Sequence, residues 1–443
     1  MTDYRVLADG LVEDIATGRM PPGTRLPPQR SFAYAQGIAV STASRVYAEL
    51  VRRGLVTGET GRGTYVRPQD GAARLAFAEP PATAVDLERI YSVLPDHTDG
   101  LSRTIQDLLR SDRIKSIVAP VAAAGDPDAR AVAARFLARP GWTPGADPLL
   151  FTGNGRQAVA SALAALAPPG ERIGVEALTY PVVKGIAARL GITLVPLALD
   201  GEGLCPDALA QAHRTAPLRG IYLQPSLHNP LGITMGPERR AALAESLDAH
   251  GLFAVEDAIY GFLSDAVPLA AFAPERTILV DSLSKRVAPG FTLGFIAAPP
   301  LLVDRIALCV RSGGWGATGL PFAVGRRLME SGEAARIGLA KREDARARQA
   351  LARDILADLA LRGDPQAYHL WLALPETWRA ETFVAAAARR GIAVTPANAF
   401  AVHAGHAPNA VRLALASPPL DALAPALTTL RQLARDGDDS PVE

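Results

Sequence analysis

Lys285 closes the string Asp281-Ser282-Leu283-Ser284-Lys285. An amine withdrawn from water can stay neutral near pH 7 and condense with a carbonyl to give a Schiff base. The hydroxyls of Ser282 and Ser284 could bind a phosphate beside it. Upstream, Glu256-Asp257-Ala258-Ile259-Tyr260 offers a carboxylate and a phenol, and Gln224-Pro225-Ser226-Leu227-His228-Asn229-Pro230 offers an amide. Asn229 precedes a proline, which keeps it extended or in a turn. Pyridoxal phosphate needs such a set: an amine for its aldehyde, an acid for its ring nitrogen and donors for its ring oxygen. A lone Ser-x-Ser-Lys string is weak. Taken singly, Lys285 reads equally as a loop lysine, Asp257 as a strand-end cap, Asn229 as a turn residue and Tyr260 as a core tyrosine.

Each of these groups follows a short apolar run: Gly220 to Leu223, Leu252 to Val255, and Thr277 to Val280. Such runs read as buried strands, and open α/β sheets bind ligands at the carboxyl ends of their strands. A further run, Leu149 to Thr152, leads through Gly153-Asn154-Gly155-Arg156-Gln157 into a helix from Ala158 to Leu166. Free N–H groups at a helix start after a glycine turn make a phosphate cradle, and an ordinary βα turn has the same sequence. Beyond the lysine, a long amphipathic helical stretch is expected over about Pro321 to Leu361. A strand at Tyr368 to Leu374, a helix at Glu381 to Arg390 and a strand at Val411 to Ala416 follow, as in a smaller subdomain.

The Asn-Pro, Asp-x-x-Tyr and Ser-x-Ser-Lys blocks, in this order and spacing, resemble the class I/II aminotransferases of fold type I along roughly Asp86 to Arg435. The resemblance implies an α/β domain with large and small subdomains that binds pyridoxal 5'-phosphate. It implies that Lys285 forms the Schiff base and is the catalytic residue, that Asp257 pairs with the pyridinium nitrogen, and that Asn229 and Tyr260 bond the ring hydroxyl. Gly155, Arg156 and Gln157 would take the phosphate, with Ser282 and Ser284 beside them. Tyr180, in Glu176-Ala177-Leu178-Thr179-Tyr180-Pro181, matches the aromatic stacked on the ring. Arg412 matches the arginine that fixes an α-carboxylate, a role its two-pronged guanidinium suits. The pattern breaks at Thr292, seven residues after the lysine, where the family usually has a phosphate-binding arginine; Arg286 and Arg156 are the two candidates to replace it.

The first 68 residues hold nine arginines against six acidic residues and no lysine. Tyr4 to Thr17 has helical periodicity, Pro28 suits the first turn of a helix to about Gln36, and Ser41 reads as the N-cap of a third helix. That helix buries Ala43, Val46, Tyr47, Leu50 and Val51 and shows Thr42, Arg45, Glu49 and Arg52 on its other face. Leu55 to Val66 alternates about glycines as a hairpin wing. The residues Leu26-Pro27 to Arg30, Val40-Ser41-Thr42 to Arg45 and Gly61-Arg62-Gly63-Thr64-Tyr65-Val66 resemble the α+β winged helix-turn-helix of GntR regulators. That resemblance implies that Arg30, Ser41, Thr42, Arg45, Arg62 and Gly63 face double-stranded DNA. Arg45 is the candidate base reader and Arg30 and Arg62 are phosphate anchors. Arg52 and Arg53 read as a solvated basic face. A winged helix joined to an aminotransferase-like domain resembles the MocR subfamily of GntR regulators, which makes the chain multidomain.

The expected boundaries are a DNA-binding domain at 1–68, a linker at 69–84, an effector domain at 85–435 and a disordered acidic tail at 436–443. Cys205 and Cys309 lack metal-ligand spacing and read as buried thiols of a reducing cytoplasm, and no metal is expected. No signal peptide or membrane span is evident. The expectation is a cytoplasmic homodimer that binds DNA and a small amino acid or amine. Two further readings stay open: a working aminotransferase with an appended helix-turn-helix, and a repressor whose cavity has lost the cofactor.

Overall fold

The computed structural model describes residues 4–17, 19–21, 24–53, 55–59, 63–66, 84–92, 94, 97–110, 114–403 and 407–436 of the 443. The N-terminal domain packs helices α1 (Tyr4–Ala16), α2 (Gln29–Ala35) and α3 (Val40–Arg52) against the antiparallel wing β1 (Val56–Glu59) and β2 (Gly63–Val66). Apolar side chains at helical spacing make its core: Ala8, Val12 and Ile15 from α1, Phe32 from α2, and Val46, Tyr47 and Leu50 from α3. Two details depart from expectation. The N-cap of α3 is Ala39, with no side-chain cap, so Ser41 lies inside the first turn. Glu49 is buried rather than exposed, because Arg52 and Arg53 fold back onto its carboxylate and neutralise it.

The large subdomain is a seven-stranded sheet. Its strands are β4 (Leu149–Thr152), β5 (Arg172–Glu176), β6 (Thr193–Leu197), β9 (Gly220–Leu223), β10 (Phe253–Asp257), β11 (Thr277–Ser282) and β12 (Gly294–Ala297). The ribbon β7 (Leu199–Asp200) and β8 (Gly203–Leu204) stands beside it. The strand order is β4-β12-β11-β10-β9-β5-β6, with β12 antiparallel to both its neighbours and the other pairings parallel. Helices cover both faces, so β4, β9, β11 and β12 are buried throughout, and unbroken apolar runs rather than alternation mark them. The carboxyl ends of β4, β9, β10 and β11 lie along one edge.

The small subdomain has the order β13-β14-β16-β15-β3, from β13 (Ala360–Arg362), β14 (His369–Ala373), β15 (Ile392–Pro396), β16 (Ala410–Ala414) and β3 (Val85–Leu87). The chain thus enters this domain through the small sheet: β3 pairs in parallel with β15 before the large sheet begins. The long helical stretch divides into Gly319–Glu330 and Glu333–Ile355, broken where Gly332 takes a left-handed φ of 77°. Its expected end, 360–362, is strand β13. The two cysteines are half-buried, not fully buried. Among the described residues no helix is long and apolar enough to cross a membrane, and no cluster of metal-ligating side chains occurs. The expected linker (69–84, apart from Ala84) and the tail beyond Asp436 lie outside the described residues.

Candidate functional site

Three helices frame the site: α4 (Gly155–Leu166), α5 (Leu283–Arg286) and α6 (Glu333–Ile355). A cavity of about 240 Å³ opens at the carboxyl edge of the large sheet, and Lys285, Asp257, Asn229, Tyr260, Tyr180, Gly155, Arg156 and Ser284 all line it. Lys285 sits on the one-turn helix α5, capped where the Ser282 hydroxyl accepts from the Ser284 N–H at 3.0 Å. The two serine hydroxyls are 2.7 Å apart. Burial pushes the Lys285 amine well below its ordinary range, and the nearby cations Arg156, Arg412 and Lys341 push it further; Asp257 opposes them. No carboxylate bonds the amine. It donates instead to the carbonyl of Ile90 at 2.8 Å and lies 3.7 Å from the centre of the Tyr91 ring.

Asp257 ends β10 and accepts from the Tyr222 hydroxyl at 2.6 Å, the Gln224 amide at 3.0 Å and the Ile259 N–H at 3.1 Å. Burial pushes its carboxyl up to about 6 even so. Asn229 follows β9. Its loop is clamped by Arg240, which is 1% exposed and donates to the Pro225 carbonyl at 2.8 Å and the Ser226 hydroxyl at 2.9 Å. Burial also raises the phenols of Tyr260 and Tyr180, so both are protonated donors.

Gly155 starts α4. Asn154 caps that helix by accepting from the Gln157 N–H at 3.0 Å. A Cβ on Gly155 would stand 3.1 Å from the Ser282 Cβ, so only glycine leaves the cradle open. The Gln157 side chain does not line the cavity, and its Oε1 is buried without a partner. Thr292 does line it and donates to the Gly153 carbonyl at 2.7 Å. Of the two arginines that could replace the usual one, Arg286 does not line the cavity. Its guanidinium bonds Asp281 at 2.8 Å and stacks on Phe136 at 4.3 Å, away from the cavity. Arg156 remains, lying against the hydroxyls of Tyr180 and Tyr91.

Arg412 is 6% exposed, on β16. It donates to Asn229 Oδ1 at 3.1 Å, to Thr395 Oγ1 at 2.9 Å and to the carbonyl of Glu88, and its Nε is buried without a partner. The segment from Glu88 to Tyr91, just after β3, therefore bonds both the amine and the guanidinium. Ser417 latches it by donating to the Arg89 carbonyl and accepting from the Tyr91 N–H. Sequence reasoning missed Tyr91 and Ile90, since nothing local distinguishes them from a domain entry. It missed Arg240 as well.

In the winged helix, Arg30, Ser41 and Arg45 are exposed and Thr42 is half-exposed. Neither Arg30 nor Arg45 forms a hydrogen bond or ion pair among the described residues. Arg45 also borders a cleft between α3 and the small subdomain, with Glu376 and Arg379 across it. Arg53 differs from the solvated face expected: it is 10% exposed in its side chain and pairs with Glu49 and Asp9. Gly63 opens β2, and Arg62 lies outside the described residues.

The residues present fit pyridoxal phosphate: an amine that burial depresses, a buried carboxyl group, phenol and amide donors, and a glycine at a helix start share one cavity. The family described as aminotransferase class I and II matches residues 119–430, and that described as bacterial regulatory proteins, gntR family, matches residues 3–66. The chain is 30% identical over 438 residues to the HTH-type transcriptional regulator YdeF of Bacillus subtilis, covering 98% of this chain and 94% of that protein. It is 25% identical to the vitamin B6 salvage pathway transcriptional repressor PtsJ of Salmonella typhimurium, over 69% of this chain and 70% of that one. An archaeal alanine:glyoxylate aminotransferase structure superposes with a TM-score of 0.73 at 21% identity, covering 87% of this chain and 98% of that chain; this likeness concerns the fold.

Proposed function

The chain belongs to the class I and II aminotransferase family and carries a GntR regulatory domain, the arrangement of the MocR subfamily, and we propose that this transcriptional regulator senses a small amino compound through pyridoxal phosphate bound at Lys285. The observation that carries the reading is the Lys285 amine, depressed far below its ordinary range in a cavity shared with Asp257, Asn229 and Tyr260. A neutral amine is the form that attacks a carbonyl. Bound there, pyridoxal phosphate supplies an aldehyde that exchanges one amine for another. Asp257 would hold a proton on the ring nitrogen, Asn229 and Tyr260 would bond the ring oxygen, and Tyr180 would stack on the ring. The N–H groups of Gly155 and Arg156, the Arg156 guanidinium and the hydroxyls of Ser282, Ser284 and Thr292 would take the phosphate, while Gln157, whose N–H is held by Asn154, would need to give up that cap to join them.

Arg412 receives the carboxylate of an effector that has one, in place of the Glu88 carbonyl. Release of the segment from Glu88 to Tyr91 biases the small sheet, through which the chain connects to the DNA reader. The reader at 1–68 contacts operator DNA with Arg30, Ser41, Thr42, Arg45, Arg62 and Gly63, the connection spans 69–84 and the sensing domain spans 85–435. A cytoplasmic homodimer matches a pair of DNA half-sites.

Purified protein given pyridoxal phosphate should gain a visible absorption band that Lys285→Ala lacks, and operator affinity should change when the coenzyme and an effector amine are added together. Absence of the band in the unaltered protein would overturn the reading. Sustained turnover with a keto acid acceptor would instead favour an enzyme with an appended DNA-binding fold, which the intact set of Lys285, Asp257 and Arg412 keeps in view.

A further inference from the structure

The chain has four lysines against forty-two arginines. One of the four, Lys341, has no exposed surface at all, although it lies on α6 in the charged run Lys341-Arg342-Glu343-Asp344. Its ammonium donates to the carbonyls of Lys285 and Val287, each at 2.8 Å. Those carbonyls belong to the last turn and exit of α5, the one-turn helix that carries Lys285. So short a helix leaves its final carbonyls without partners of its own, and a cation is the strongest donor that can satisfy them.

We propose that Lys341 is a positioning residue for Lys285. It fixes the backbone from which the Lys285 side chain projects, by holding the carbonyls of Lys285 and Val287 at 2.8 Å. This rests on the cofactor reading given above. The elements around Lys341 supply little compensation. On its own helix Asp344 lies nearby, but Arg348 bonds both oxygens of that carboxylate at 2.9 Å. From β14's lead-in, the Tyr368 hydroxyl has Asp344 at 2.8 Å and the Lys341 carbonyl at 2.9 Å as alternative acceptors of its one proton. Arg342 bonds Asp265 at 2.7 Å, and Arg286 on α5 bonds Asp281, so both face elsewhere. Burial pushes the Lys341 amine down to about 7, and its charge in turn helps depress Lys285. An arginine would stay charged at any pH and its broad fork could not enter between two adjacent carbonyls in the same way.

Lys184 provides a control of the same chemistry. It donates to the carbonyls of Ala399 and Ala401 at 2.6 and 3.0 Å, and burial pushes its amine down to about 8, yet it touches no part of α5. The test follows the visible band of full-length protein loaded with pyridoxal phosphate as pH is varied. Lys341→Met and Lys341→Gln should move the midpoint of that titration upward by roughly one unit, since a like charge is removed beside the reporting amine. Lys341→Arg, which holds a cation at every pH, should not move the midpoint upward, and Lys184→Met should lower thermal stability without moving it. Loss of stability in the Lys341 variants with an unmoved midpoint would overturn the proposal and leave a purely structural lysine. If neither neutral variant folds, Lys341→Arg decides: its cation does not discharge, so its midpoint should lie at or below that of the unaltered protein, and a midpoint above it overturns the proposal. No band in the unaltered protein would refute the cofactor reading itself.

Discussion

The two ends of this polypeptide use arginine in opposite ways. In the sensing domain, Arg240, Arg286 and Arg412 are buried and their donors are directed at chain carbonyls, an amide or a carboxylate. In the winged helix, Arg30 and Arg45 stand exposed and unpaired among the described residues, while Arg52 and Arg53 at the far end of α3 are spent on Glu49 and Asp9. Burial makes a cation costly unless it is bonded, so Arg240 and Arg286, bonded within the domain and outside the cavity lining, report architecture. An exposed and unpaired arginine is free to meet an anion brought from outside. Within a few turns of chain the distinction separates Arg45, the proposed reader, from Arg53, a brace.

The comparison breaks most severely if Arg286 proves to hold the cofactor. Arg286→Ala should destabilise the protein by about 3 kcal/mol, the low end for a broken buried pair, because Arg139 at 3.1 Å still partners Asp281. Affinity for pyridoxal phosphate should fall little, whereas Arg156→Ala should weaken it severalfold with little change in unfolding temperature. The reverse pattern, measured by thermal unfolding and coenzyme titration, would restore Arg286 as the missing phosphate ligand.

Asp257 sharpens the same point from the acidic side. Its folded value of about 6 stands above the ordinary 3.8, so the cofactor-free fold binds the extra proton between those values. A raised folded value contributes stability below pH 4 that is lost as pH rises to about 6; two units correspond to about 3 kcal/mol at most. Asp257→Asn should flatten that slope in denaturant unfolding of the cofactor-free protein. Pyridoxal phosphate should also shrink it in the unaltered protein, because a ring cation favours the carboxylate. A slope of equal size in Asp257→Asn would place the titration elsewhere.

Much of the site was legible because each strand opens on a short apolar run and its functional residue comes within six residues of that run's end. β9, β10 and β11 announce Asn229, Asp257 and Lys285 in this way, and the glycine turn announces Gly155. What stayed hidden acts across sequence distance. The Ile90 carbonyl meets Lys285 only because β3 joins the small sheet through β15, a pairing that three residues of β3 cannot signal. Lys341 lies in a run of charges whose periodicity reads as solvated, and only the packing of α6 on α5 buries it. In the winged helix the same blindness turned Glu49 outward, since its neutralising partners are themselves arginines. The cap at Ser41 failed for a local reason: α3 starts two residues earlier than that cap requires, at Val40, where Ala39 holds an extended backbone and no side chain is available to cap.

The smallest effects test the exposed half of the comparison. Arg45→Ala should cost about 1–3 kcal/mol of operator affinity, and that loss should disappear when one base pair of the operator is changed, as expected for a guanidinium reading a single guanine. Arg30→Ala should weaken binding evenly across sequences and reduce the slope of log affinity against log salt by about 1, the signature of one lost phosphate contact. Titrations of short duplexes at several salt concentrations separate the two. Should Arg45→Ala behave like Arg30→Ala, α3 would be gripping backbone rather than bases, and sequence would have to be read by the wing. A loss of stability in Arg45→Ala comparable to that of Arg53→Ala would go further, since it would mean that Arg45 braces the cleft opposite Glu376 and is not free for DNA at all.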